Sequence, residues 1–310
     1  MRHDPRFQIR TLAAAAMLAL ALPATAQLSS ATVRGAVTAE AKAQPGATVT
    51  ATNTANGQVT RTTSRADGSY VLVGLAPGSY RIDIVAPGYA TRTETLTVLI
   101  GQTVDLDLAL AKTDALQLQT VTVTGSSGLD RKTSEVGTNV TQKQIESLPQ
   151  VTRNFLAFAD LAPGVRFDVD ARGNVKVQSG AQNQDNINIF IDGVSQKNNI
   201  LRGGASGMDS TRGNPFAQSA IAEYKVVWQN YKAEFDQVSS AAITAFTKSG
   251  TNQLHGEVFW DHTGQNLTAY SPFEARDKAN GFDLAKFAQD QYGFALGGPI
   301  KRDAAHFFLS

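Results

Sequence analysis

Cysteine is absent from the 310 residues. That removes a disulfide framework, a thiol nucleophile, thiolate metal ligands and lipidation through an N-terminal Cys. Histidine is nearly as scarce: only His3, His255, His262 and His306 occur. No pair of them has the i, i+4 spacing around a Glu that a zinc protease uses. An excess of one charge is also lacking, with 28 Lys and Arg against 27 Asp and Glu. A chain this balanced carries no phosphate-tracking stripe, and nucleic acid is not an expected partner. No apolar run approaches the roughly 20 residues of a membrane-spanning helix. Membrane association would therefore come from surface contact or from a β-barrel.

What is present argues for folded β structure. The hydrophobic set makes up 42% of the residues and charged residues 18%, against bulk disorder. The length suits about two domains. The first 26 residues form a tripartite export signal: Arg2, Arg6 and Arg10, then an apolar run from Leu12 to Leu22, then Ala24-Thr25-Ala26. Cleavage before Gln27 leaves 25 basic against 26 acidic side chains, an essentially neutral exported chain.

From Ser29 to Leu110, short alternating runs are separated by turn signals, as in an antiparallel β-sandwich of immunoglobulin-like or transthyretin-like type. Asp67-Gly68, between Thr60–Ser64 and Tyr70–Val73, is a hairpin signal. Pro77-Gly78 and Pro87-Gly88 bracket Tyr80–Ile84, in which Tyr80, Ile82 and Ile84 share one face and Arg81 and Asp83 the other. A last strand is expected to turn Val104, Leu106, Leu108 and Leu110 inward and Asp105 and Asp107 outward.

Residues 111–130 form a linker in which Thr120-Val121-Thr122-Val123-Thr124 is a β-prone pentapeptide between polar joints. It reads either as an ordinary edge strand or as a strand left free for capture by a partner sheet. Residues 131–252 read as an α+β unit. A capping box at Thr141 and Gln144 opens a helix that Pro149 ends, and Arg153–Leu161 forms a second helix closed by Pro163-Gly164. Strands are expected at Asn174–Gln178, Ile187–Ile191, Ala222–Trp228 and Ala242–Lys248. Residues 253–310 alternate with aromatics, as in Gly256–Asp261 and Tyr292–Gly297, in the manner of transmembrane β-strands. Gly298–Asp303 reads as a short turn and Thr263–Phe287 as a long polar loop.

Several phrases resemble known families. Gly68–Tyr80, with Leu75-Ala76-Pro77-Gly78-Ser79-Tyr80, resembles the carboxypeptidase regulatory-like domain, a non-catalytic accessory sandwich with some carbohydrate-binding relatives. Leu148-Pro149 with Arg153-Asn154-Phe155, Leu161–Val165, Ile189–Val194, Ile221–Val226 and Thr247–Asn252 resemble the plug of TonB-dependent receptors, in wording closest to the Oar-type group. In that setting Thr120, Val121, Thr122, Val123 and Thr124 resemble a TonB box, the segment that engages the inner-membrane energy protein TonB. The resemblance implies a mainly β chain at the outer membrane: signal peptide (1–26), sandwich (29–110), linker with TonB box (111–130), plug (131–252) and the first strands of an incomplete barrel (253–310). Such barrels have roughly 22 strands. The implied function is energy-coupled uptake of an unknown extracellular substrate, with the sandwich and TonB box on the periplasmic side. The alternative is an exported adhesion or interaction protein that uses the sandwich as a binding module.

Enzymatic and metal readings find little support. His255-Gly256-Glu257 lacks the Cys pair of a zinc deaminase and reads as a strand end. Gly203–Gly207 lacks the Lys-Ser or Lys-Thr of a phosphate loop. Asp185, Asn186, Asn188 and Asp192 miss the calcium-loop spacing. No catalytic, cofactor or metal residue is assigned, and a non-enzyme without cofactor is expected. Amino-terminal sequencing of the exported protein should begin at Gln27; an intact Met1 would contradict the export signal.

Overall fold

The computed structural model describes residues 30–112, 134–148, 150, 153–169, 175–180, 182, 186–198, 216–267, 269–282 and 288–310. The export signal and the pentapeptide at 120–124 lie outside these residues.

Nine strands build the first unit: β1 (Ala31–Ala39), β2 (Lys42–Ala43), β3 (Thr48–Asn53), β4 (Val59–Thr63), β5 (Ser69–Leu75), β6 (Gly78–Val85), β7 (Arg92–Val98), β8 (Thr103–Asp105) and β9 (Leu108–Leu110). One sheet runs β4-β3-β6-β7; the other centres on β1, which pairs with β2, β5, β8 and β9. Alternation sorts the side chains as the pattern requires. Tyr80, Ile82 and Ile84 are buried while Arg81 is exposed, and Val33, Val37, Tyr70 and Leu72 close the core from the other sheet.

Three local expectations change. The Asp67-Gly68 turn forms, with Asp67 accepting from the Ser69 N–H at 2.9 Å and Gly68 at φ 77°, yet it closes no hairpin. β4 pairs with β3 and β5 with β1, so the turn carries the chain from one sheet to the other. The cause is burial: β5 buries Tyr70, Leu72 and Leu75 against β1, while β4 is an exposed edge. The sandwich is also not purely antiparallel, since β8 and β9 run parallel to β1. The last strand is broken at Leu106-Asp107. There the Asp107 carboxylate, instead of a ladder carbonyl, accepts the Ala36 N–H at 2.8 Å, and the Leu106 backbone crowds Gly35. The Leu106 carbonyl in turn accepts the Tyr70 hydroxyl at 2.7 Å, a bond worth about 1 kcal/mol.

The second unit is a mixed sheet in the order β10-β15-β16-β13-β14: β10 (Val136–Val140), β13 (Ile187–Ile191), β14 (Val194–Ser195), β15 (Ile221–Gln229) and β16 (Ala241–Thr247). A separate hairpin joins β11 (Val165–Val169) and β12 (Val175–Ser179). Helix α1 (Gln142–Ser147) starts at Thr141, whose N–H and hydroxyl both donate to Gln144 Oε1, at 2.9 and 3.0 Å. The expected second helix is a 3-10 segment, Phe155–Leu161, rather than an α-helix. Asn154 caps it, accepting the Leu156 N–H at 3.0 Å, and Pro163 bars its continuation. It buries Phe155, Leu156 and Phe158 against Tyr224 of β15.

The third unit is a meander of β17 (His255–Gly264), β18 (Ala288–Lys301) and β19 (Ala305–Leu309). Gly298–Lys301 belong to β18, so the expected turn shrinks to 302–304, where Asp303 adopts φ 58°. The long connection after β17 starts past Gly264 and carries a helix, α2 (Pro272–Ala279). Ser271 and Glu274 form its capping box and Pro272 opens it, a start signal embedded in a polar stretch.

A Cβ added at Gly35 would overlap the Leu106 carbonyl oxygen. Gly35→Ala should lower sandwich stability by roughly 3 kcal/mol, read as a fall in its urea midpoint. An unchanged midpoint would mean that the crossing of β1 by residues 105–107 is not tight.

Candidate functional site

Among the polar contacts that join the three units in the described residues, three sets define the site. The first joins sandwich to middle unit. Ile100, in the turn between β7 and β8, is buried, and its N–H donates to Glu223 Oε1 of β15 at 3.2 Å. Asn139 of β10 donates through Nδ2 to the same carboxylate at 3.0 Å and to the Ile100 carbonyl at 3.3 Å. Lys225, two residues along the same face of β15, pairs with Glu135 at 2.8 Å. Alternation along β15 explains the arrangement: Tyr224 and Val226 enter the hydrophobic core, and Glu223 and Lys225 take the opposite face. Burial pushes the Glu223 carboxyl up to about 7, against the opposing pull of the Asn139 and Ile100 hydrogen bonds and the Lys225 charge.

The second set centres on Asn252, between β16 and β17. Its N–H donates to the Ala55 carbonyl of the sandwich at 2.8 Å. Its carboxamide donates to Asp303 Oδ1 at 2.7 Å and accepts the Asp303 N–H at 2.9 Å, with His306 Nε2 2.9 Å from the same oxygen. The third set joins the middle unit to the meander. Arg153 pairs with Asp261 at 2.9 Å, its guanidinium carbon lies 3.6 Å from the Phe259 ring centroid, and its N–H donates to Gln291 at 3.3 Å. Phe259 lies opposite Gly293, where a side chain would meet the ring.

The meander thus has two unlike faces. His255, Glu257, Phe259 and Asp261 turn toward the other units. On the opposite face Val258 is paired with Phe294 and Trp260 with Tyr292, and all four are exposed; Val258 is 87% and Tyr292 81% accessible. Trp260 Nε1 and His262 Nδ1 both lie on Asp290, at 3.2 and 2.8 Å, so the aromatic pair borders a polar one.

These contacts separate the candidates weighed in the sequence. Thr120–Thr124 fall outside the described residues. Asn188 is committed to Ser195 and the Asp236 carbonyl, and Asp192 to the N–H and hydroxyl of Thr247, so both serve the fold. Glu223 and Arg153 lay inside phrases singled out from the sequence, but nothing local marked them as contacts between units. Their partners are 123 and 108 residues away.

Residues 32–111 match the carboxypeptidase regulatory-like domain, and residues 246–310 match an outer membrane beta barrel domain. The TonB-dependent transporter Oar of Myxococcus xanthus is 27% identical over 304 residues, covering 90% of this chain and 26% of that protein. The likeness to a TonB-dependent transporter thus runs along most of this chain. The chain spans about a quarter of the length of that curated relative. Among solved structures, the siderophore receptor PirA of Acinetobacter baumannii is 20% identical with a TM-score of 0.39, covering 56% of this chain and 23% of that one. A mutant of the ferric enterobactin receptor PfeA of Pseudomonas aeruginosa is 16% identical with a TM-score of 0.38, covering 53% and 22%. Likenesses this weak carry no argument about the site of this chain.

A raised carboxyl pKa has a definite consequence for the protein's stability. Glu223 holds its proton more tightly when buried than in the unfolded chain, so its contribution is full below its ordinary 4.5. It is lost as pH climbs to about 7. Glu223→Gln should flatten that loss, worth roughly 3 kcal/mol. Comparing urea midpoints of the two proteins from pH 5 to pH 8 tests it; parallel curves would show that Glu223 is not buried by the sandwich.

Proposed function

We propose that this chain takes part in energy-coupled uptake at the outer membrane, with residues 131–252 as a plug, 253–310 as barrel wall and Thr120–Thr124 as the segment that TonB captures. The observation that carries the reading is the two-faced meander. An outward band of Val258, Trp260, Tyr292, Phe294 and Ile300 suits lipid, and the inward side chains engage the middle unit through Arg153, Asp261 and Phe259. Residues 1–26 would direct export, and the sandwich and linker would then stand on the periplasmic side. Capture of the pentapeptide by strand addition needs only unpaired backbone groups and tolerates many side chains.

Force applied at 120–124 would reach the middle unit through its first strand, β10. A sheet built of short strands yields locally before a closed barrel does. Fold alone names no substrate.

Val121→Pro or Val123→Pro deletes a ladder donor at the captured segment and leaves every described contact intact. Uptake should fall to background while the amount of receptor in the outer membrane stays normal. Undiminished uptake by both variants would refute the assignment of this segment.

A further inference from the structure

Two of the anchors that hold the sandwich belong to different elements. The Ile100 turn is held entirely by the middle sheet, through Asn139 of β10 and Glu223 of β15. The Ala55 turn is held by Asn252, which is itself fixed to Asp303 at the turn between β18 and β19. Gly57 of that sandwich turn lies so close to the Asp303 carboxylate that a Cβ would overlap it. No group of this second anchor lies on β10. Beside the second anchor, sandwich residues Asn53 and Pro77 face Gln142, Lys248 and His255 across a cleft of about 360 Å³.

Among the described residues β10 is at the edge of its sheet and pairs only with β15, through five residue pairs from Val136–Gln229 to Val140–Tyr224. Tension from the preceding segment enters at Val136. It strains the Glu135–Lys225 pair first and then opens the ladder one pair at a time, so Asn139 is withdrawn before the strand is fully free. Strands inside the sheet have two neighbours each and resist this sequential opening.

We infer that the sandwich is a hinged cover: the Ile100 turn is a catch released when β10 is drawn off β15, while the Ala55–Asn252–Asp303 contact persists as the hinge. Release would swing the sandwich away from the middle sheet and uncover the cleft without detaching the module. The idea that transport tension supplies the release rests on the reading of 120–124 given above; the catch and hinge themselves do not.

Two backbone amides report the two anchors separately, because the Ile100 N–H is bonded to Glu223 and the Asn252 N–H to Ala55. Hydrogen exchange on the intact protein in detergent would compare the native chain with Asn139→Ala, and Ile82 in β6 would monitor the sandwich fold. Exchange at Ile100 should rise at least tenfold, with Asn252 and Ile82 unchanged. Equal rises at Ile100 and Asn252 would mean the module departs whole and would overturn the hinge; no rise at Ile100 would overturn the catch. Gly137→Val tests the link to the strand, since a Cβ at Gly137 already meets the Val226 carbonyl oxygen at 2.8 Å. It should loosen the β10 amides and Ile100 together. Loosened β10 amides beside a protected Ile100 would refute the link. Both readouts stand whether or not Val121→Pro abolishes uptake, so the two readings fail independently.

Discussion

A strand buried on both faces must satisfy two environments at once, and Ile221–Gln229 is under that constraint here. Tyr224 and Val226 complete the apolar core with Phe155 and Phe158. The opposite face carries Glu223 and Lys225, which tie the middle sheet to the sandwich and to Glu135. A carboxylate in such a place is tolerated only because donors from two other segments converge on it. The position of the sandwich, the placement of the edge strand β10 and the ionisation of Glu223 all follow from that arrangement.

The meander obeys a second constraint. Its strands alternate, so apolar side chains gather on one face and the groups that meet the middle unit on the other. Glycine opposite Phe259 gives the ring room to lie flat, and Arg153 then stacks on it while pairing with Asp261. One side chain of the middle unit thus gains a cation–π contact, a salt bridge and a fixed direction from the meander. The exposure of Asp261 keeps the ion pair itself weak, so geometric definition matters more than its energy.

Local rules were readable where the signal is local. Period-two alternation placed Tyr80, Ile82 and Ile84 inside and Arg81 outside, Pro149 ended the first helix, and Ile187–Ile191 emerged with the bounds read from sequence. Reading failed wherever a neighbour far along the chain decided the matter. Asp67-Gly68 turns the chain as its chemistry requires, yet the strands on either side join different sheets. The Asp107 carboxylate interrupts a strand that alternation drew as continuous. The helix at Pro272–Ala279 did carry a legible start in Ser271, Pro272 and Glu274, but its surroundings were too polar to suggest a packed element.

The sequence by itself therefore determined which face strands such as Tyr80–Ile84 bury and where turns such as Asp67-Gly68 fall, because these depend on residues within a few positions. Only the tertiary structure decided which strands pair, that β8 and β9 run parallel to β1, and that Ile100, Asn139 and Glu223 meet. Periodicity encodes the direction of a side chain but not its partner, and a buried polar contact between segments 84 and 123 residues apart exists only once both sheets have formed.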